Sequence, residues 1–337
     1  MNNILVIKLR YIGDVLLATP VLRALRERFP NARLTMAVNR GTEEMLRWNP
    51  DLDKVVIVER SGPRKEFQFL RMIRRKRFDC VIDLTDGDRS AIIAWVSGAP
   101  VRIGFNEERR WRGLLYTTVV SPPVGHRVER DLSALQALGI EPKPGPPLLR
   151  TTPSDEDEAA RLLEQLGVGF KGDEPLIMLH PGARYWFKAW PAERFAELAD
   201  RLTEQGCRIL IGGGAEDRSM ADEITRLTRS SLVVVAGRTT LLQFASILKR
   251  CALLIGNDNG AMHMAAAVGT PVVALFGPSN PAQWGPRTER AEVLYKELDC
   301  RRCFHPSCWR GEGNCMRLIS VDEVLAAGQR FLKQVKV

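Results

Sequence analysis

The sequence predicts an α/β protein with two doubly wound, Rossmann-like domains. Three observations support this prediction: short apolar runs alternate with segments of helical spacing, the alternation occurs twice, and a proline-rich stretch separates the two series. Parallel strands that are joined by crossover helices produce such an alternation. With 337 residues and 45% hydrophobic content, the chain is long enough to fill two cores of ordinary domain size.

The first series predicts strands at 4–9, 34–38, 55–58 and 80–84, and helices at 15–29, 66–75 and 90–96. The stretch 139–150, GIEPKPGPPLLR, predicts a stiff connector, and a further helix is predicted at 155–166. The glycines that follow this helix predict a hinge. We therefore place the first domain at 1–168.

The second series predicts strands at 176–180, 208–211, 232–235, 252–255 and 272–276, and helices at 191–205, 217–228, 241–249 and 261–267. We place the second domain at 169–320, followed by a C-terminal helical segment at 321–337. Open sheets of this kind bind ligands at the carboxyl ends of their strands. The deep site is therefore expected in the cleft between the two domains.

The charge balance indicates an acidic partner. The chain has 49 Lys+Arg against 40 Asp+Glu, a net charge of +9, which favours phosphate-bearing lipid, nucleotide or nucleic acid without choosing among them. No nucleic-acid-binding fold or base-stacking platform is recognisable in the sequence, so a nucleic-acid partner is not expected.

The lengths and flanking residues of the apolar runs indicate where in the cell the protein is located. The apolar residues 4–7 are followed at once by Lys8 and Arg10, unlike a secretory signal. The longest apolar stretch, 262–276, is broken by Gly269 and Pro271 and is too short to span a bilayer. The sequence therefore predicts a soluble cytoplasmic protein whose membrane contact is peripheral.

The stretch 253–286 has the pattern of a strand, a turn, a short helix and a second strand. The free N–H groups and the positive dipole end of such a helix form an anion site, most often for phosphate. Asp258 can accept from hydroxyls or cap the helix, Gly260 allows close approach to the backbone, and His263 can donate to the same anion. The alternative is a capped helix with a buried histidine.

The turn after the first strand contains Gly13 and Asp14. Gly13 permits a tight turn, and Asp14 begins a helix at the carboxyl end of the strand. Asp14 is therefore a candidate general base, although Asp is also a favoured N-cap residue. Pro20 falls inside the same predicted helix, where it should remove a hydrogen bond and bend the helix.

The segment 180–191, HPGARYWFKAWP, lies between a strand and a helix. Gly182 and Ala183 can expose backbone donors, while Arg184 and Lys188 can neutralise a leaving diphosphate. Solvated surface charge is the alternative for both cations. Glu216, which follows three glycines, could hydrogen-bond ribose hydroxyls or an amine.

Four segments together give the chain a specific resemblance. They are ILVIKLRYIGDVLLATPVLRALRERFPNARLTMAV, DLTDGDRSAIIAWVSGAPVRIGF, HPGARYWFKAWP and NDNGAMHMAAAVGTPVVALFGPSNPAQWGP. In their order and spacing the chain resembles glycosyltransferase family 9, the ADP-heptose:lipopolysaccharide heptosyltransferases, from about residue 4 to 324. The opening segment is most similar to the heptosyltransferase III subgroup.

The resemblance implies the GT-B fold, with the acceptor on the first domain, the nucleotide sugar on the second, and the C-terminal helix packing back on the first. It implies transfer from ADP-heptose with inversion and without a metal cofactor. Asp14 would be the base and Lys188 a donor-binding residue. The predicted substrate-binding residues are Gly13, Gly182, Ala183, Arg184, Glu216, Arg238, Thr239, Thr240, Asp258, Asn259, Gly260, Ala261, Met262 and His263.

Two features bear on that assignment. Asn259 stands where the family usually has Thr or Ser, so a hydroxyl contact with phosphate becomes an amide contact. The sequence Asp86-Gly-Asp88 mimics a D-x-D metal motif, but its place before a helix favours a structural role. Arg10, Arg89 and Ser90 are candidate acceptor contacts.

Two basic clusters, at 71–77 and 109–112, suggest contact with an anionic glycolipid at the cytoplasmic face of the inner membrane. Solvated helix faces are the alternative. Four cysteines near the C-terminus could hold a structural zinc, form disulfides or remain reduced thiols. These cysteines are Cys300, Cys303, Cys308 and Cys315.

We conclude from the sequence that the protein moves heptose from ADP-heptose to the lipopolysaccharide inner core. One alternative is a related GT-B transferase that uses another nucleotide sugar. The other is a catalytically silent protein that binds nucleotide sugars at the membrane surface.

Overall fold

The computed structural model describes residues 1–59, 62–169, 174–300 and 308–333. The chain divides into two compact units, Met1–Arg150 and Thr151–Val337, each built on a six-stranded sheet. This division falls before the helix that the sequence analysis gave to the first domain. The reason is a packing contact within the second unit, described below.

The first unit contains a fully parallel sheet with the strand order β3-β2-β1-β4-β5-β6. The strands are β1 (Asn3–Lys8), β2 (Arg33–Asn39), β3 (Lys54–Val58), β4 (Cys80–Asp83), β5 (Val101–Phe105) and β6 (Thr118–Val120). Ile4 lies beside both Leu34 and Cys80, so β1 is central. The order reverses between β1 and β4, which is where such sheets bind ligands.

The helices of this unit are α1 (Ile12–Leu17), α2 (Thr19–Arg28), α3 (Pro63–Arg75), α4 (Asp88–Val96) and α5 (Arg127–Ser133). The single helix predicted at 15–29 is divided at Ala18. Pro20 therefore lies in the first turn of α2, where its missing N–H has no intrahelical partner to lose. Pro20 is thus accommodated just after the division between α1 and α2 and not inside one continuous helix.

The second unit repeats the same topology, with the order β12-β11-β10-β7-β8-β9. Its strands are β7 (Leu176–His180), β8 (Arg208–Ile211), β9 (Val233–Val234), β10 (Leu253–Asn257), β11 (Val272–Phe276) and β12 (Ala291–Tyr295). All are parallel to their neighbours. The reversal between β7 and β10 corresponds to that between β1 and β4.

The helices of the second unit are α6 (Pro153–Gln165), α7 (Ala192–Thr203), α8 (Arg218–Leu227), α9 (Leu241–Leu248), α10 (Gly260–Val268), α11 (Pro281–Trp284) and α12 (Val321–Leu332). Helix α6 packs against α9, which is why it belongs to this unit. Lys249 reinforces the contact through an ion pair with Glu156 at 2.7 Å.

Helix α12 packs against α7 and β10 of the second unit. Its buried residues Val324 and Leu325 join Ile177 and Leu253 in one hydrophobic core. We expected this helix to pack on the first domain, whereas its apolar face is part of the core of the second unit. Within the described residues, no helix combines the length and apolar character needed to cross a bilayer.

Candidate active site

The second sheet brings most of the predicted donor residues to one edge. Its central strands β7 and β10 are parallel neighbours, with Gly256 beside His180. The loops that follow them, 181–191 and 258–259, therefore leave the sheet side by side. The first loop carries Lys188 and the second carries Asp258.

Helix α10 is capped by Asn259, whose side-chain oxygen accepts from the Ala261 N–H at 2.9 Å. Asp258, which the sequence analysis considered as the cap, is one residue outside that position. Consequently the Asp258 carboxylate is available for another partner. The N–H groups of the first helical turn that this cap leaves unused would form the predicted anion site, whereas His263 lies beyond that turn and is buried.

The amide nitrogen of Asn259 also has protein partners. It donates to the Gly182 carbonyl at 2.6 Å and lies 2.9 Å from Nδ1 of His180. One side chain thus joins the end of β7, the glycine loop and the start of α10. The predicted amide contact with phosphate would require Asn259 to give up one of these bonds.

Lys188 and Asp258 form an ion pair at 2.8 Å. Their side chains are only 17% and 10% exposed, so Lys188 is not a solvated surface cation. Arg184 behaves differently, since it is exposed and its guanidinium lies 5.1 Å from the centre of the Tyr185 ring. Lys188 is therefore held in place beside the α10 turn by Asp258.

Asn257 is a structural residue that the sequence analysis missed. Its amide donates to the Pro181 carbonyl at 2.6 Å, and its oxygen accepts from the Trp190 N–H at 3.1 Å. It therefore fixes both ends of the loop that carries Lys188. The signal in the sequence is an Asn at the end of an otherwise apolar strand, where an unpaired amide would be costly.

Glu216 lies on a short turn after β8 that Asp217 holds. The Asp217 carboxylate accepts from the Gly214 N–H at 2.9 Å. It also approaches Gly182 so closely that a Cβ there would lie 2.4 Å from the Asp217 oxygen. The second unit contains a cavity of about 490 Å³. Its lining residues include Gly182, Ala183, Trp190 and Glu216.

The remaining donor-side residues differ in accessibility. Arg238 and Thr240 are exposed and Thr239 is partly exposed, while the Thr240 hydroxyl caps α9 by accepting from the Gln243 N–H. The Met262 side chain is fully buried. A ligand contact at Met262 would therefore use its backbone N–H.

In the first unit, Asp14 lies in the first turn of α1 and is 9% exposed. The N-cap position belongs to Tyr11, so the capping role considered for Asp14 is excluded. Burial raises the pKa of Asp14 above its ordinary value, and the positive charge of Lys8 opposes that rise. The role of Asp14 as a general base stays a prediction.

Lys8 is fully buried at the end of β1 and forms an ion pair with Asp131 of α5, which is equally buried. Lys8 also donates to the Leu84 carbonyl at 3.3 Å. Burial lowers the pKa of Lys8, while Asp131 and Asp14 oppose the change. Asp131 was not predicted from the sequence, because it lies 123 residues away from Lys8 along the chain.

The two carboxylates of the Asp86-Gly-Asp88 motif pair with an arginine side chain of the same unit. Asp86 and Asp88 accept from Arg112 at 2.9 and 3.2 Å. Arg112 is almost fully buried, so its charge requires these partners. The two carboxylates thus have the structural role that the sequence analysis favoured.

The candidate acceptor residues also have internal partners. Arg89 pairs with Glu66 at 2.7 Å, and the Arg10 guanidinium donates to the Thr85 carbonyl at 2.9 Å. Ser90 is buried and donates to the Gly87 carbonyl at 2.8 Å. Acceptor contact by these residues stays a prediction.

The cysteines fall into two groups. Cys80, Cys207 and Cys251 are buried, as small core residues are. Cys303 lies outside the described residues, and Cys300 accepts from the Arg310 guanidinium at 3.0 Å. Among the residues that the structure describes, no three His, Cys, Asp or Glu side chains are placed to hold a metal ion. The zinc site stays a prediction.

Comparison with known proteins identifies the family. A family model for glycosyltransferase family 9 (heptosyltransferase) matches residues 67–312. Lipopolysaccharide heptosyltransferase 3 of Escherichia coli (strain K12) is 30% identical, over 97% of this chain and 97% of its own length. The chain belongs to glycosyltransferase family 9, the heptosyltransferases.

Solved structures agree with the fold of this heptosyltransferase. The glycosyl transferase family 9 protein from Veillonella parvula DSM 2008 has a TM-score of 0.87 at 26% identity, covering 99% of this chain and 97% of that one. The ADP-heptose LPS heptosyltransferase II of E. coli has a TM-score of 0.83 at 26% identity, with full coverage of both chains. The predicted GT-B fold and glycosyltransferase activity are therefore confirmed.

Proposed function

We propose that this family 9 enzyme transfers heptose from ADP-heptose to the lipopolysaccharide inner core, with inversion and with Asp14 as the general base. The observation that carries the proposal is the buried Asp14 carboxylate, which lies at the carboxyl end of β1 and has no capping role. The names of two relatives support the substrates. One is a lipopolysaccharide heptosyltransferase and the other an ADP-heptose heptosyltransferase.

Asp14 would accept the proton of the acceptor hydroxyl as its oxygen forms the new bond to the anomeric carbon. The bond between that carbon and the diphosphate oxygen breaks, and its electron pair leaves with ADP. A raised pKa suits this task, because a carboxylate of higher pKa is a stronger base as long as it remains ionised. Attack on the face opposite the leaving group would invert the anomeric centre.

On the donor side, the N–H groups at the start of α10 and the Lys188 ammonium would stabilise the negative charge of departing ADP. Asp258 holds Lys188 in place through the 2.8 Å ion pair, and Asn257 fixes the loop that carries it. Such preorganised donors stabilise charge without reorganising during the reaction. In this proposal, the second unit would supply the groups that stabilise departing ADP.

The test replaces Asp14 with Asn, which keeps the shape of the side chain and removes the base. We expect ADP release in the presence of ADP-heptose and core acceptor to fall by about 10²- to 10⁴-fold. ADP affinity in calorimetry should stay unchanged. The fold should be slightly more stable at neutral pH, because a carboxylate that is costly to ionise has been removed.

The matched control is Asp51→Asn, a buried carboxylate of the same unit that pairs with Arg23 at 3.1 Å. This variant should retain transfer. Unchanged turnover in the Asp14 variant would reject the base assignment. Calorimetry with ADP, UDP and GDP tests the donor, and equal affinity for all three would reject ADP-heptose as the specific donor.

A further inference from the structure

One side of the first unit consists of three neighbouring elements: α3, α4 and the 3₁₀ turn Trp111–Leu115. They cover the same face of the first sheet, because Ile73, Ile93 and Leu115 pack into one core with Leu5 and Val81. The opposite sides of these elements point away from the sheet. We call this outward surface the α3–α4 face.

The α3–α4 face exposes several large apolar side chains. Phe67 of α3 is 67% exposed, Trp95 of α4 is 56% exposed, and Trp111 and Leu114 of the turn are 53% and 87% exposed. Single exposed apolar residues are ordinary, but a group on adjacent elements indicates an interaction surface.

Ion pairs hold the three elements together as one surface. Arg89 of α4 pairs with Glu66 of α3 at 2.7 Å, and Arg112 of the turn pairs with Asp88 of α4 at 3.2 Å. The guanidinium of Arg74 lies directly over Gly98 at the end of α4. The four apolar side chains therefore belong to a continuous face rather than to separate loops.

Basic residues surround these apolar side chains. Arg71, Arg74 and Arg75 follow Phe67 by four, seven and eight positions, which places all of them on the same side of α3. Arg109 and Arg110 precede Trp111 directly, and Arg110 pairs with Glu108 at 2.7 Å. Glu66 and Asp88, the acidic residues of α3 and α4, also pair with arginines, so the remaining charge on this face, at Arg71, Arg74, Arg75 and Arg109, is positive.

We propose that the α3–α4 face binds an anionic lipid bilayer. Its aromatic and leucine side chains would enter the headgroup region while its arginines contact lipid phosphates. Exposed aromatic rings beside cations fit this interface, where one side is apolar and the other is charged. The proposal goes beyond heptosyl transfer, since it concerns residues outside the groups assigned to chemistry.

The experiment measures flotation of the full chain with vesicles of phosphatidylethanolamine and phosphatidylglycerol, and with vesicles of phosphatidylcholine. We expect the wild type to prefer the anionic vesicles. The double variant Trp95→Ser/Leu114→Ser should lose at least tenfold in partitioning. The double variant Arg71→Gln/Arg75→Gln should lose about fivefold per arginine at low salt, and less at high salt.

The matched control is Trp48→Ser/Leu227→Ser, which removes two side chains that are 43% and 50% exposed elsewhere. This variant should bind vesicles like the wild type. All variants should transfer heptose normally to a delipidated, soluble core oligosaccharide. A loss of that activity confined to the α3–α4 variants would overturn the proposal in favour of a role in the acceptor site.

Absence of vesicle binding by the wild type, or equal binding to both vesicle types, would also overturn the proposal. So would vesicle binding that the tryptophan and leucine changes leave intact. These results are distinguishable from a failure of the proposed function, because Asp14→Asn should abolish transfer without changing flotation.

Discussion

The two units of this heptosyltransferase have the same strand order but different chemistry at the point where that order reverses. In the first unit, the ends of β1 and β4 are surrounded by buried charges, with Lys8 paired to Asp131 and Asp14 nearby. In the second, the ends of β7 and β10 are followed by backbone N–H groups and the partly accessible Lys188–Asp258 pair. The topology determines where a site forms, and the side chains determine whether it suits proton transfer or anion binding.

The largest effect should come from breaking the buried charge pair of the first unit. Lys8→Met removes one of the two cations that pair with the buried Asp131 and leaves Arg130 at 3.2 Å, so we expect a loss of about 3 kcal/mol in the free energy of unfolding. Urea unfolding of the full chain measures it. The double variant Lys8→Met/Asp131→Leu should recover much of the loss, and a double variant as unstable as the single one would contradict the buried-pair account.

The corresponding change in the second unit should affect catalysis more than stability. Lys188→Met removes a cation beside the predicted diphosphate site, and we expect kcat to fall by about 10²-fold. Steady-state ADP release measures this effect. Arg184→Met is the matched control on the same loop, and an equal loss in both variants would show that general loop charge matters, not the position of Lys188.

A smaller effect is expected for Asp200, a carboxylate whose pKa is shifted in the opposite direction to that of Asp14. Burial opposes the shift, but hydrogen bonds from Thr228 and Ser230 lower the pKa of Asp200 to about 2. Its stabilising contribution is present above the unfolded-state pKa and is lost as the pH falls towards 2. Asp200→Asn should therefore lower stability by about 2 kcal/mol at pH 7.

Thermal unfolding of this variant and the wild type across acidic pH gives the measurement. The difference in free energy of unfolding between the variant and the wild type should shrink as the pH falls. A difference that stays constant with pH would show that the Asp200 charge is not what stabilises this part of the second unit.

The smallest effect should appear in the dependence of kcat/KM on pH. Because the pKa of Asp14 is raised and the base must be ionised, kcat/KM should fall about tenfold for each pH unit below that pKa. Lys8 opposes the rise, so Lys8→Gln should move this acidic limb to higher pH. A limb that stays at the pH of an ordinary aspartate would contradict the burial of Asp14 in the active enzyme.

The sequence predicted the regular parts of the fold because apolar periodicity is a local property. It predicted β1, β7, β10 and β11 closely, since each is a short apolar run before a turn. It missed β5, β6 and β12, whose residues are partly exposed or interrupted by polar side chains. Their identity as strands depends on neighbours that are distant in sequence.

The candidate site was predictable to a similar degree. Turn glycines and the residues beside them predicted where Asp14, Lys188 and Asp258 lie, because strand ends are visible in the sequence. The capping role of Asn259 and the pairing of Lys8 with Asp131 were not predictable. Each depends on a choice among several polar partners that only the folded backbone brings within hydrogen-bonding distance.

The position of α12 has a consequence for the order in which the two units fold during synthesis. Residues of α12 fill part of the second core, and Trp190 donates to the Ile319 carbonyl just before that helix. The second core therefore cannot close until residue 332 has left the ribosome. The first unit, complete by residue 150, can close while its neighbour is still being translated.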